Sequence, residues 1–424
     1  MSASAKTLTL GSFNVLNLVP GSTPAQRHYF YDIKSKNDLW DQPHDNNDDQ
    51  PTEYEQKISW LAAQFDRMAC DLVGFQEVFE EAPLREALDR SEQGGGAQLF
   101  IAGQPTFIDT QAHGSPARVY KVPRVALAVR GDWQVQARTV TDYPVDFRMG
   151  EEMAGRDGKS RRMAFEADGQ SIQTFYRPFL RAEITLPNWS KSLKGVGDDA
   201  LGQILVYVCH FKSKAPMART AQGLTDQALA IDAAKLNALG AARSAMVRNT
   251  DAAALRWLII QDLLEQPNRP VILLGDLNDE LSAISTEIAG GLSIPYFRKD
   301  DYPDNDREAM RHQVADLSLF ATEKIMARKR LRDVHYTFTW DGGYDTLDHI
   351  LVSKHFAPMS SVREGWGTPE VGHVGSLRVL NDHLLDDFLD DLEHWEVEKH
   401  HRKRSDHGQV IARLDWEIAP KRRE

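Results

Sequence analysis

The chain has 424 residues, of which 42% are hydrophobic and 26% charged, and this composition is typical of a soluble globular protein of one large domain or two ordinary ones. The formal net charge of −12 disfavours a broadly basic nucleic-acid binder but leaves room for a local basic groove. With two cysteines, Cys70 and Cys209, a disulfide framework and a cysteine-based zinc site are excluded, and both are expected to be buried free thiols.

The N-terminal stretch predicts a strand, because TLTLGSFNVL alternates and is not preceded by the basic and apolar regions of a secretory signal. No stretch of the sequence predicts a transmembrane helix. We therefore expect a cytoplasmic protein without stable membrane association, with export by another route left open. We also expect a monomer.

The first half of the chain predicts strands that alternate with helices and polar insertions. Residues 25–55 are rich in Asp, Asn and Pro and predict an insertion. Apolar residues then recur at positions 58, 61, 65 and 68, which is helical spacing. Apolar runs predict strands in DLVGFQEVF, VPRVALAVRGDW, FYRPFLRAEITL and GQILVYVCHFKSK. A charged insertion at 142–173 and a polar hairpin at 188–202 interrupt them.

The second half begins with residues 225–265, which are rich in Ala and Leu and predict two helices with a break near Asn249–Thr250. The strand PVILLGD and an insertion at 285–335 follow. YTFTWDGGYDTLDHILVS predicts two strands joined by a Gly-Gly turn. An insertion near 355–400 contains an acidic amphipathic helix at 384–398. The lack of repeats or flexible linkers predicts one α/β domain over 1–424, with a core of about 7–418.

Polar side chains recur at the ends of the predicted strands. Strands end near Asn14, Glu77, His210, Asp276 and Asn278, and others begin near Asp348, Asp406 and His407. Because antiparallel neighbours place the start of one strand beside the end of another, all these groups could share one rim. The turn GDLND alone is also consistent with ordinary turn and capping chemistry. A cluster of acceptors there could instead hold a metal ion or a proton in transit.

The motifs FNVLNL, GFQEVF, CHFKSK, GDLND, LDHILVS and SDH occur in an order that resembles the endonuclease/exonuclease/phosphatase superfamily, and the resemblance covers about residues 7–418. LDHILVS and SDHGQV look closest to bacterial nuclease-like members. The resemblance implies a four-layered α/β/β/α sandwich, with two mixed β-sheets packed face to face and helices outside. It also implies hydrolysis of phosphoesters with a divalent cation, Mg²⁺ or Mn²⁺.

The resemblance also implies which residues bind the metal. Glu77 matches the metal-binding glutamate of the superfamily, and Asn14 and Asp406 are expected close to the same ion. This set suits Mg²⁺, which prefers hard oxygen ligands and keeps several waters.

Catalytic roles follow from the same resemblance. Asp276 matches the residue that orients or deprotonates the attacking water, and Asn278 matches a donor to the phosphate. His407 matches the catalytic histidine, which Asp348 orients by a hydrogen bond. His210 matches a second histidine near the leaving group. Asp279 is expected to cap a helix or to support the site from behind.

Substrate contacts outside these motifs are open to two interpretations. Arg177 and Arg181 are four residues apart on a predicted strand and could grip substrate phosphates, or each could form a surface salt bridge. KHHRKR at 399–404 could attract a polyanion, or it could end a helix. Tyr336, Phe338 and Trp340 alternate and could pack in the core or stack on bases.

The leading functional hypothesis is a metal-dependent nuclease that cleaves DNA or RNA by in-line attack of an activated water, with nucleic acid as its partner. A second hypothesis is a phosphatase or phosphodiesterase for a small or lipid substrate, which the acidic net charge favours. A third is an inactive binding scaffold, which the presence of competent residues at every matched position disfavours. Hydrolysis that EDTA abolishes would eliminate the third.

Overall fold

The structure is a computed structural model, and it describes residues 6–20, 53–112, 115–120, 122–145, 147, 152–154, 160–162, 166–167, 170–171, 173–186, 202–217, 226–291, 314–327, 335–340, 343–357, 371–384 and 404–416. The predicted hairpin at 188–202 and the predicted helix at 384–398 fall almost entirely outside these ranges. So does KHHRKR, apart from Arg404. The single-domain prediction and its insertions stay predictions.

The strands are numbered in chain order. β1 to β10 are Lys6–Leu18, Leu72–Val78, Gln98–Ile101, Phe107–Ala112, Ser115–Tyr120, Arg124–Val129, Gln134–Asp142, Glu152–Ala154, Ser160–Arg162 and Glu166–Ala167. β11 to β20 are Gln170–Ser171, Thr174–Thr185, Gln203–His210, Val271–Asp276, Leu319–Ala321, Phe338–Trp340, Gly343–Asp345, Asp348–Ser353, Gly372–Leu380 and Gln409–Trp416. The helices α1 to α5 are Glu53–Met68, Glu81–Arg90, Asp226–Glu265, Ile284–Gly290 and Thr322–Ala327, and Lys354–Phe356 form a 3₁₀ turn.

Two six-stranded mixed sheets organise the fold, as predicted. The first has the order β19-β20-β1-β2-β6-β3, and the second has the order β15-β18-β14-β13-β12-β7. Each contains one parallel pair, β1 with β2 and β13 with β14, and the other pairs are antiparallel. The strands of these two parallel pairs end in polar residues that the sequence analysis singled out. Because paired parallel strands end at the same edge of a sheet, these residues lie together at one edge of each sheet.

The inner faces of the two sheets form the main core. Leu10 on β1 shares this core with Val208 on β13 and Leu274 on β14, and all three are fully buried. A Cβ on Gly74 of β2 would lie 3.0 Å from Val208 and 3.3 Å from Leu274, so a glycine here lets the sheets approach closely. This core fixes the distance between the strands that carry the polar ends.

Helices cover the outer faces and complete the α/β/β/α sandwich. α1 and α2 pack on the first sheet, and the predicted inward positions Ile58, Leu61, Phe65 and Met68 are all buried there. The second half of α3 packs its apolar side chains on the second sheet. Both cysteines are buried free thiols, as expected. Among the helices of the described residues, none combines the length and apolar character that a membrane span requires.

Two local predictions are wrong. Residues 226–265 form one continuous helix, α3, without a break near Asn249–Thr250. Thr250 donates its hydroxyl to the carbonyl of Met246 at 2.8 Å, an arrangement that a helix accommodates. The segment after Tyr336 forms three strands, because β16 and β17 make a separate hairpin before β18 begins at Asp348.

Candidate active site

Strand register brings the predicted polar residues to one rim. On the second sheet, Asp276 pairs with His210 on one side and with Asp348 on the other. On the first sheet, Asn14 pairs with Gln76, the residue before Glu77. The sheets then meet at this rim, because Asn14 donates its Nδ2–H to Asp276 Oδ2 at 3.0 Å.

A buried histidine–carboxylate pair lies at the centre of the rim. His407 Nδ1 and Asp348 Oδ2 are 2.7 Å apart, and both residues are buried. His407 Nε2 lies 3.9 Å from Asp276 Oδ2 and 3.9 Å from Asp406 Oδ1. Because Nδ1 is committed to Asp348, the free edge of the imidazole faces the other two carboxylates.

A second buried histidine faces Asp276 from the other side. His210 Nε2 lies 3.5 Å from Asp276 Oδ2 and 3.8 Å from Glu77 Oε1. Burial lowers the pKa of His210 well below its usual value, and the positive charges of Arg177 and His407 lower it further. For His407, burial also acts to lower the pKa, but the charge and hydrogen bond of Asp348 and the charges of Asp276 and Asp406 raise it well above its usual value. The two histidines therefore favour opposite protonation states at neutral pH.

Asp276 lies between the two histidines and is held on both oxygens. Its Oδ1 accepts the backbone N–H of Asn278 at 2.8 Å, and its Oδ2 accepts the amide of Asn14. Burial raises its pKa to about 7, Asp348 adds to this, and His407 and the hydrogen bonds oppose it. A carboxylate with such a pKa is a better proton acceptor near neutral pH than an ordinary aspartate.

Strained backbone surrounds the site. Four of the five non-glycine residues with positive φ in the described part of the chain lie here: Leu16, Asn17, Glu77 and Asn278. The N–H of Leu16 donates to Asn14 Oδ1 at 3.0 Å, and the N–H of Asn17 donates to Glu77 Oε2 at 3.0 Å. Such conformations are unfavourable for non-glycine residues and persist only where the surroundings hold them.

Two buried hydroxyls fix the segments that carry Asp348 and His407. Ser405 donates its hydroxyl to the carbonyl of Asn14 at 2.6 Å and accepts the N–H of His407 at 3.0 Å. Thr337 Oγ1 accepts the N–H groups of Leu347 at 2.9 Å and Asp348 at 3.1 Å. The sequence analysis did not predict either role. The one indication in the sequence was that Ser405 directly precedes Asp406 and His407.

Lys57 is the other residue that sequence reasoning missed. It is fully buried on α1, and its Nζ donates to the carbonyl of Leu16. Burial lowers its pKa to about 7, while the carboxylates of Asp406 and Glu77 act in the opposite direction. The helical spacing did indicate that Lys57 is buried, because position 57 precedes the buried positions 61 and 65 by one and two turns of helix.

The residues present fit a divalent cation. Asn14, Glu77 and Asp406 supply hard oxygen donors, and Asp406 Oδ1 is buried without a hydrogen-bond partner among the described residues. A second set, Asp276, Asp348 and His407, also offers ligand atoms within 4.8 Å of one another. In that set His407 Nδ1 already pairs with Asp348, so the oxygen set is the better candidate for Mg²⁺.

The structure separates the two arginines. Arg177 donates Nη1 to the carbonyl of Phe211, and the charges of Glu77 and Asp276 act on its guanidinium. Arg181 instead donates Nε to Asp262 Oδ2 at 3.0 Å in a buried ion pair on α3. Of the two interpretations, the contacts of Arg181 therefore favour the salt bridge, which is buried and not on the surface. Arg177 lies in the part of β12 whose register is irregular, between Thr174 and Phe179.

Asp279 supports the site turn from behind. Its Oδ2 accepts Arg248 Nε at 2.9 Å and the Ser285 hydroxyl at 2.7 Å. Its backbone carbonyl lies 2.8 Å from His349 Nε2. The alternative that Asp279 caps a helix is wrong, because Ala283 is the N-cap of α4.

The aromatic residues of the predicted stacking face have different partners. Phe338 lies against His407, with 5.0 Å between ring centroids. Tyr336 packs edge-to-face against Tyr344 at 4.9 Å, and the side chain of Trp340 lies outside the described part. Phe338 therefore belongs to the wall of the site.

Comparisons with known proteins agree with the motif order. A family model described as "Endonuclease/Exonuclease/phosphatase family" matches residues 11–407. No curated protein gives a significant match.

Several solved structures are similar to this chain. One is an endonuclease/exonuclease/phosphatase family protein from Bacteroides thetaiotaomicron, which has 14% identity over 100% of both chains and a TM-score of 0.44. A mannosyl-6-phosphatase of the same organism has 14% identity over 96% of this chain and 99% of its own, with a TM-score of 0.44. The human Nocturnin catalytic domain has 13% identity over 97% and 98%, with a TM-score of 0.41. These likenesses are too distant to carry an argument about activity.

Proposed function

The chain belongs to the endonuclease/exonuclease/phosphatase family, a family of hydrolases that act on phosphoester bonds, and we propose that it is a divalent-metal-dependent phosphodiesterase, foremost a nuclease for DNA or RNA. The observation that carries this proposal is the pair of buried histidines on either side of Asp276. Their pKa values move in opposite directions, so at neutral pH one imidazole is a cation and the other is neutral, and the two can take different roles toward a phosphate.

Asp276 takes the role of the group that orients and deprotonates the attacking water. Asn14 and the backbone of Asn278 hold its two oxygens, so the carboxylate is fixed before substrate arrives. Asn278 donates one amide hydrogen to the carbonyl of Phe211 at 3.0 Å, and we assign the other to a phosphate oxygen.

His407 is the cationic member of the site. Asp348 holds its Nδ1, so Nε2–H is available to a phosphoryl oxygen as negative charge develops there. His210 is kept neutral by burial, and its Nε2 lies beside Asp276 and Glu77. We assign it to the leaving-group side of the phosphate.

The proposed cation ligands are Asn14, Glu77 and Asp406, with Mg²⁺ or Mn²⁺ as the ion. When bound there, the ion would neutralise charge on the phosphoryl and leaving oxygens. The chain prepares these ligands itself, because backbone N–H groups of Leu16 and Asn17 hold Asn14 and Glu77 in place.

Arg177 supports a polyanionic substrate. Its guanidinium lies 5.4 Å from the centre of the Tyr176 ring, the charges of Glu77 and Asp276 act on it, and its Nε is buried without a hydrogen-bond partner among the described residues. A second phosphate of a nucleic-acid backbone is a suitable partner for such a group, since guanidinium and phosphate match in charge and geometry.

A small phosphoester is the second candidate substrate, and one observation favours it. Lys212 donates to Ser213 and to the carbonyl of Ala215, and Arg248 pairs with Asp279 and the carbonyl of Lys212. These basic groups beside the site are thus engaged within the chain. The net charge of −12 points the same way.

The test compares plasmid DNA, single-stranded RNA, bis-p-nitrophenyl phosphate and p-nitrophenyl phosphate, each with Mg²⁺ or Mn²⁺ and again with EDTA. Asp276→Asn and His407→Gln remove the proposed groups with little change in volume. His355→Gln, at the far end of β18, is the matched control for a buried histidine.

Nucleic-acid cleavage that EDTA and both site variants abolish, and that His355→Gln retains, would support a nuclease. Turnover of the small phosphoesters alone would move the second candidate ahead. Hydrolysis that persists in EDTA or in Asp276→Asn would contradict the proposed mechanism. A folded protein that hydrolyses none of the four would favour the scaffold hypothesis.

A further inference from the structure

Lys57 brings its amino group to the buried side of the proposed cation site. It is fully buried on α1, on the outer face of the first sheet, and it donates to the carbonyl of Leu16 on β1. The carboxylates of Glu77 and Asp406 both act on its ammonium group. A buried lysine so close to two proposed metal ligands has no role in the hydrolysis described above.

The carbonyl that Lys57 holds belongs to an irregular turn of β1. Leu16 and Asn17 are consecutive residues in the left-handed region, with φ of 50° and 45°. Neither is glycine, so the turn needs support from outside. The register of β1 with β2 shifts between Asn14 and Leu18, which places this turn next to Glu77.

The turn connects Lys57 to the ligands. Its two N–H groups donate to site residues, that of Leu16 to Asn14 Oδ1 and that of Asn17 to Glu77 Oε2, each at 3.0 Å. These bonds leave Asn14 Nδ2 directed at Asp276 and Glu77 Oε1 directed at His210. One carbonyl anchor therefore controls the orientation of two side chains in the site.

We propose that Lys57 is a positioning residue for the cation site, which holds the Leu16–Asn17 turn so that its N–H groups orient Asn14 and Glu77. This inference rests on the proposed metal-dependent function. It assigns Lys57 no contact with substrate. Groups that orient metal ligands from behind contribute about 10- to 100-fold to metal affinity or activity.

If Lys57 acts only through its charge, its removal is expected to strengthen metal binding instead of weakening it. An ammonium group near two carboxylates repels a divalent cation, so its removal would tighten metal binding. The positioning role predicts weaker binding on removal. The direction of the change in metal affinity therefore distinguishes the two.

The experiment measures Mn²⁺ binding to the full chain directly, by electron paramagnetic resonance of the free ion, together with kcat and KM on the substrate that the wild type hydrolyses. Lys57→Met replaces the ammonium by an apolar chain of similar length. Lys57→Gln keeps a neutral donor. Arg67→Met is the matched control, because Arg67 lies on the same helix but is half exposed and pairs with Asp382.

We expect Lys57→Met to weaken Mn²⁺ binding by about tenfold or more and to lower kcat more than it raises the KM for substrate. Lys57→Gln should retain part of the Mn²⁺ affinity and part of kcat, and Arg67→Met should retain the wild-type values of both. Adding Asn17→Gly to Lys57→Gln should restore Mn²⁺ affinity, because glycine adopts positive φ without cost and keeps the N–H that Glu77 accepts.

Unchanged or tighter Mn²⁺ binding in Lys57→Met would overturn the inference, as would a double variant no better than Lys57→Gln. If Lys57→Met does not fold, the comparison of Lys57→Gln with and without Asn17→Gly decides the question. A wild-type chain that binds no Mn²⁺ and shows no hydrolysis would instead reject the proposed function.

Discussion

A buried histidine lies beside each end of β18, His407 against its first residue and His355 in the turn after its last, and the comparison between them separates function from structure. At the start of the strand, Asp348 pairs with His407 at 2.7 Å. At its end, the Ser353 hydroxyl pairs with His355 Nδ1 at 2.8 Å, and His355 Nε2 lies 3.0 Å from the carbonyl of Pro267. Both imidazoles are almost fully buried.

Their pKa values nevertheless move in opposite directions. Burial lowers the pKa of His355 to about 4, and the positive charge of Lys354 acts in the same direction, while the hydrogen bond to the carbonyl of Pro267 offsets only part of this. Burial acts in the same direction on His407, but three carboxylates reverse it. The charge of the partners, more than the degree of burial, therefore decides which histidine is a cation at neutral pH.

The largest expected effect is on hydrolysis. His407→Gln should lower kcat by about 10³- to 10⁴-fold, because it removes the cation that faces the phosphate. His355→Gln should leave kcat within a few fold, since His355 lies at the opposite end of the strand. Steady-state kinetics on the substrate identified above measure both. Equal losses in the two variants would mean that the ends of β18 do not differ in function.

Asp348→Asn tests the carboxylate alone, since the amide can still accept a hydrogen bond from His407. We expect kcat to fall by about 10²- to 10³-fold, because the pKa of His407 loses the support of its main partner. NMR titration of the His407 ring should show that pKa moving down. Ser353→Ala, the matched change beside His355, should leave kcat unchanged. A His407 pKa in Asp348→Asn that stays as high as in the wild type would contradict this account.

A third prediction concerns stability and acid pH. The pKa of His355 is lower in the folded chain, about 4, than the 6.5 expected when unfolded, so its contribution is complete above pH 6.5 and declines as the pH falls toward 4. The loss should reach about 2 kcal/mol of unfolding free energy at pH 5. Denaturant titrations at pH 7 and pH 5 measure it.

The variant His355→Gln should lose less stability than the wild type between these two pH values. The matched control is His373→Gln, since the side chain of His373 is partly exposed, at 38%, and this variant should behave as the wild type does. The same decline in His355→Gln as in the wild type would assign the acid sensitivity to another group, such as His383, whose pKa burial also lowers to about 4.

The sequence predicted the sheets and the rim because strand ends carry a one-dimensional signal. Apolar runs ended at Glu77, His210 and Asp276, and the motif order identified the family, so both the sandwich and the cluster could be expected. Two predictions were wrong: a break in α3, and two strands instead of three after Tyr336. Both concern the boundaries of elements, which local sequence patterns define poorly.

The supporting residues could not be predicted in this way, because their roles depend on contacts between distant segments. Ser405 binds Asn14 across 391 positions, and Lys57 acts on Leu16 from a helix on the outer face. The partner of Arg181 could not be predicted, because spacing on a strand does not reveal Asp262 on a helix 81 positions away. Such contacts require the packed structure.

The smallest expected effect concerns Phe338, whose ring lies beside His407. Phe338 forms a bridge with His407 through the backbone and a tilted ring contact at 5.0 Å. Phe338→Leu keeps an apolar side chain but loses the aromatic contact, which is worth about 0.5–1.5 kcal/mol. We expect kcat to fall by about 2- to 10-fold with little change in KM, since the ring positions the imidazole.

Tyr344→Leu is the matched control for Phe338→Leu, because Tyr344 lies on the same hairpin but packs against Tyr336 and is 57% exposed. If Phe338 acts by positioning His407, this control should keep the wild-type kcat. A rise in KM for nucleic acid in Tyr344→Leu, with kcat retained, would show that the hairpin has a separate role in stacking on bases. A rise in KM without loss of kcat in Phe338→Leu would assign that ring to substrate binding instead of to the positioning of the His407 imidazole.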